Sequence, residues 1–72
     1  MQEKKEELTN LGLQSYVEKL DTQEQMKLKT FIAMRFGKSY ITINDKIKGR
    51  TKFSQVELLA LQPIIENELW RQ

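Results

Sequence analysis

The sequence predicts an all-α fold, a single-domain bundle of four to five helices over residues 1–72. Three observations carry this. Apolar residues recur at helical spacing in successive stretches, each opened by a residue suited to capping. Two glycines, Gly37 and Gly49, bracket a short amphipathic segment in the middle of the chain. The chain has no cysteine and no histidine, so disulfides and an ordinary zinc site are excluded, and packing must hold it. Hydrophobic residues make up 39%, enough for a core in a chain near the lower size limit of a self-supporting domain.

The first helix is read from Leu13, Tyr16, Val17 and Leu20, spaced i, i+3, i+4, i+7, with Thr9 or Asn10 as its cap. Asp21-Thr22 breaks the pattern, and Thr22 with Gln25 predicts a capping box. The second helix then runs to Phe36. Its face is Leu28, Phe31 and Ile32, widened by Ala33 and Phe36, with Met26 and Met34 assigned to the core. Gly37 fits a left-handed terminator.

The third helix is expected from Ser39 to Lys48. Propensity alone allows a strand, since SYITI partly alternates. Helix is preferred because Tyr40, Ile43 and Ile47 fall at i, i+3, i+7, with Ser39 as N-cap and Gly49 as terminator. A basic turn, GRTKF, follows. Ser54 caps a fourth helix carrying Val56, Leu58, Leu59, Leu61, Ile64, Ile65, Leu69 and Trp70. Pro63 lies inside that run and predicts a kink or a split there.

Charge is unevenly distributed. From Lys27 to Lys52, eight basic residues face the single acid Asp45, a net +7. Residues 1–26 carry three lysines against six acids, and residues 53–72 carry Arg71 against three, giving −3 and −2. A basic middle between acidic ends favours a polyanion on one face; a solvated lysine surface is the plainer alternative. Apolar runs are too short to span a membrane, and MQEKKEEL does not read as a secretory signal, so a cytoplasmic protein is expected.

A short helix with one apolar face and cationic surroundings has the makeup of an element that enters a nucleic-acid groove. Ala33 stands four positions before Gly37, and Ile43 six after it; Lys48-Gly49, RTKFS and VELLALQPII follow. This arrangement resembles the helix-turn-helix of phage-repressor and Cro-class DNA-binding proteins, with the motif at about 28–49. The segment is also similar to small helix-turn-helix proteins of Bacteroides-type bacteria and their mobile elements. Lys38 and Lys46 depart from the family pattern, which favours apolar residues there, and Ile41 and Ile47 are expected to supply the packing.

The resemblance implies a DNA-binding transcriptional regulator that reads duplex DNA with the helix at about 39–48. With Tyr40, Ile43 and Ile47 inward, Ser39, Thr42, Asn44, Asp45 and Lys48 are expected outward. Asn44 suits a bidentate pair with adenine, and Lys48 a guanine or a phosphate. Lys38, Arg50, Thr51 and Lys52 suit phosphates. Plain solvated surface stays open for each of them. Tyr40 either seals the helix against the core or lies on a sugar or base. Ile64, Ile65, Leu69 and Trp70 offer more apolar surface than one bundle needs, so a homodimer is expected. The alternative function is a protein-interaction module, such as a repressor-binding partner, that uses the motif only as a packing scaffold.

Enzymatic readings are poor. Ser39 and Ser54 have no base beside them in sequence and read as caps. GKS at 37–39 lacks the preceding glycine and strand of a phosphate loop. No cofactor, metal or small-molecule substrate is indicated.

Overall fold

A computed structural model describes residues 7–71. Of these, 74% are helical, in four α-helices and one short 3-10 turn, with no strand. The helices are α1 (Asn10–Glu18), α2 (Thr22–Phe36), α3 (Tyr40–Lys48) and α4 (Gln55–Glu66), followed by a 3-10 turn at Leu69–Arg71. Residues 40–44 are helical, so the strand alternative is excluded. No helix among the described residues is long and apolar enough to cross a membrane.

Each α-helix opens on a side-chain cap, which satisfies donors that the first turn leaves free. Thr9, not Asn10, caps α1, its hydroxyl accepting from the Gly12 amide at 2.9 Å. Asn10 instead clamps the Phe53 backbone, accepting from its N–H at 2.9 Å and donating to its carbonyl at 3.3 Å. The capping box of α2 lies one residue earlier than expected. Asp21 accepts from the Glu24 amide and Glu24 from the Asp21 amide. A carboxylate at each position gives charge-assisted bonds at a dipole end that favours negative charge, which Thr22 and Gln25 cannot match. Ser39 caps α3, and Ser54 with Glu57 forms a second capping box on α4.

Gly37 and Gly49 end α2 and α3 in the left-handed region, at φ 68° and 91°. Nothing lies within 4 Å of a Cβ built on Gly37. Backbone conformation, not a close helix crossing, requires glycine there.

One core joins all the elements: Leu13 and Val17 of α1, Leu28, Ile32 and Ala33 of α2, Ile43 and Ile47 of α3, Phe53, then Leu58, Leu61, Ile64 and Trp70. Met26 and Met34 are not core residues; Met34 is 79% exposed. They lie on the outer side of α2, away from the row of Leu28 and Ile32, and edge an open cleft beside Phe31.

Pro63 does not split the fourth helix, which runs unbroken from Gln55 to Glu66. Pro63 and Leu59 are both exposed, so the Leu59 carbonyl that loses its donor faces water and is not stranded in the core. The break falls at Asn67-Glu68, where Glu68 takes φ 51°. That reversal folds Trp70 onto the bundle, where it is 1% exposed. Its indole N–H donates to the Tyr16 hydroxyl at 3.2 Å, and the two rings meet edge to face. Arg71 covers the outer face of Trp70 and bonds Glu24 at 2.7 Å. Ile64 and Trp70 are therefore consumed within one chain, and Ile65 and Leu69 pack against the same core. The apolar surplus expected at this end is not there.

Candidate nucleic-acid interface

Helix α3 stands on α2 through Ile43 and Ile47, both buried. At about 100° per residue, Ile41, Asp45 and Lys48 fall on the opposite side, with Thr42 and Asn44 on the two flanks. Exposure agrees for Ile41, which is 72% exposed, and for Lys48. Ile41 therefore does not supply packing, contrary to expectation. Tyr40 is not sealed inward either; it is partly exposed at the start of the helix.

The place of Lys46 in the fold explains its departure from an apolar residue. Its ammonium lies 5.6 Å from the centre of the Phe53 ring, donates to the Lys52 carbonyl at 3.1 Å and sits 3.6 Å from Glu57. The aliphatic stem covers Phe53 while the charge ties α3 to the turn and to α4. The Glu57 carboxyl is held below its ordinary pKa, first by its bond from the Ser54 amide and then by Lys46 and Lys38.

The expected contact residues divide into two groups. Lys38, Ser39, Lys48, Arg50 and Lys52 are all exposed, flanking or ending α3. Arg50 is 3.9 Å from Asp45, a loose surface pair of small energetic weight, so the one carboxylate on α3 is partly neutralised. Ser39 spends its hydroxyl locally, accepting from the Thr42 amide at 3.1 Å and donating to the Thr42 hydroxyl oxygen at 2.9 Å. Thr42 is half-buried but keeps its own hydroxyl proton to donate.

Asn44 forms the second group. It turns toward α2, where its amide oxygen accepts from the Lys29 ammonium at 2.8 Å. A bidentate pair with adenine needs that oxygen as acceptor and the amide nitrogen as donor together. One lone pair of that oxygen is taken by Lys29, so an adenine would have to share the oxygen with the ammonium or displace it.

Sequence reasoning missed Ile41 as a surface residue and Lys29 as a buried one. Helical phase contains the signal for Ile41: two positions before Ile43 is the far side of a helix. Lys29 gives no such signal, because a lysine beside a core position reads as solvated.

Comparison with protein-family models, curated proteins and solved structures finds no match for this chain.

Proposed function

We propose that this chain is a helix-turn-helix DNA-binding regulator, with α2 and α3 as the motif and α3 as the element that enters the major groove. The observation that carries this reading is the solvent side of α3. Lys38, Lys48, Arg50 and Lys52 ring it, all exposed, and Asp45 is the one acid on α3 itself. The lysines and arginine neutralise phosphates and release counterions, attraction that is blind to sequence. Thr42 donates a hydroxyl to base edges, and exposed Ile41 meets a thymine methyl, an apolar contact that major-groove readout uses. Lys48 reaches a guanine or a phosphate.

One domain of this size buries too little surface for tight operator binding, so the reading includes a homodimer. Val56, Leu59, Ala60 and Pro63 are all exposed at i, i+3, i+4 and i+7 on α4, an apolar stripe with helical period. Two copies pair through that stripe.

The test is a fluorescence-polarisation titration of a labelled random-sequence duplex at two salt concentrations. Arg50→Ala and Lys52→Ala are expected to weaken all duplexes alike and to make the log–log salt dependence shallower by about one each. Unchanged affinity in both variants, with Ile41→Ala also silent, would transfer the function to protein partners.

A further inference from the structure

Lys29 is charged, yet only 8% exposed, and its one hydrogen-bond partner is the neutral amide of Asn44. No carboxylate lies within ion-pair distance of it among the described residues. A buried ammonium without a counter-charge is costly to hold. Burial first, and the positive charge of Lys48 second, hold Lys29 below the ordinary lysine pKa. Lys29 and Lys48 border one space.

That space is a half-open cleft of about 390 Å³ between α1, α2 and the C-terminal half of α3. Lys29, Lys48, Gln14, Gln25 and Glu18 supply its polar wall, and Val17 and Ile47 its apolar one. Gln25 already spends its amide N–H groups on the Val17 and Leu20 carbonyls, both at 3.0 Å. Lys29 keeps two protons beyond its bond to Asn44, and the Lys48 and Gln14 side chains have no hydrogen bond among the described residues. Glu18 is exposed and pairs with neither lysine.

We propose that this cleft is an oxyanion site for a phosphate group, held by the ammonium groups of Lys29 and Lys48 and the amide of Gln14. A phosphate there supplies the counter-charge that Lys29 lacks and relieves its repulsion with Lys48. Charge-assisted bonds from two ammonium groups in a partly dry cleft are the strong kind. The site stands whether or not α3 meets DNA. Its phosphate is either a free ion or a duplex backbone phosphate beside Lys48.

Inorganic phosphate titrated against sodium chloride at equal ionic strength separates site binding from screening. The readouts are the Asn44 side-chain amide signal in nitrogen-15 NMR and the melting temperature, which a ligand of the folded state raises. Phosphate is expected to shift the Asn44 signal saturably and to raise Tm, and chloride to do neither. Lys29→Met fills the buried volume without charge and is expected to weaken phosphate about tenfold or more, the loss of one charge-assisted hydrogen bond. Lys48→Gln, at an exposed position, is expected to weaken it while leaving the fold intact. Equal responses to phosphate and chloride, or full phosphate affinity in both variants, would overturn the site. A duplex titration distinguishes the sources. If duplex moves the Asn44 signal and competes with inorganic phosphate, the group is backbone phosphate. If phosphate moves it and duplex does not, the group is free. Phosphate binding with no duplex binding at all keeps the cleft and removes the DNA reading.

Discussion

Lys29 and Ala33 occupy one side of α2, four residues apart, and show how differently a helix face treats size and charge. The Lys29 ammonium is harder to protonate in the folded chain than in the unfolded one. Between the lowered folded value and the ordinary lysine value of 10.5, the unfolded chain binds more protons, so stability rises with pH across that window. Below the window the penalty is fully present. Urea unfolding at a series of pH values should therefore show Lys29→Met to be more stable than the parent at neutral pH, with that part of the alkaline rise gone. A less stable Lys29→Met would mean that the bond to Asn44 outweighs the desolvation. Ala33 faces the opposite constraint. It is buried against α3 in a filled core, so Ala33→Leu is expected to overpack the contact and cost about 1–3 kcal/mol in the same assay.

Helix α3 holds its position by its ends and by two isoleucines. Nine residues are too few for a helix to persist alone in water. Ser39, Gly49, Ile43 and Ile47 therefore set its place, while Ile41 and Lys48 face solvent. That division has a measurable consequence. Ser39→Ala removes the cap and should cost about 1 kcal/mol of stability. Ile41→Ala should leave stability within about 0.5 kcal/mol, as an exposed substitution does, while lowering discrimination between duplexes that differ at a thymine. Thermal unfolding beside competitive polarisation reads both. A large stability loss from Ile41→Ala would place that side chain in the core after all. The 3-10 turn is the other element set by its tethers. The Lys27 ammonium bonds the Arg71 carbonyl at 3.1 Å, and Arg71 bonds Glu24 and Glu68.

Over the whole molecule, the basic middle of the sequence is divided: Lys38, Lys48, Arg50 and Lys52 lie exposed around α3, Lys29 is buried, and Lys27 reaches the C-terminal turn. Of the acids in the C-terminal segment, Glu57 pairs with Lys46, Glu68 with Arg71, and Glu66 accepts from Gln62. With roughly four phosphates neutralised per chain, duplex affinity is expected to fall with a log–log salt slope near −4 per bound subunit. The proposed pairing through α4 predicts dimers by sedimentation at high micromolar concentration, and Leu59→Glu should return them to monomers without unfolding the chain. A parent chain that stays monomeric under those conditions would remove the α4 interface.

The sequence by itself left Thr9 and Asn10 open as the first cap and misplaced the end of α4; it determined that the chain is helical, the caps at Ser39 and Ser54, both glycine terminators, and the inward residues Leu13, Val17, Leu28, Ile32, Ala33, Ile43 and Ile47. These are local matters. Helical period, a hydroxyl beside a free amide and a positive φ are all decided within a few residues. Tertiary structure decided the rest. Met26 and Met34 are apolar but outside, because the other helices pack on the opposite side of α2, where Leu28 and Ile32 lie. Trp70 is inside because Glu68 reverses the chain and offers its indole to Tyr16, fifty-four positions away. Asn44 faces Lys29 because α3 lies across α2 at that point, and the charge between them depends on what neighbours each nitrogen finds. Which surfaces remain free, and which charges lack a partner, depends on how distant segments pack, and helical spacing carries no record of that.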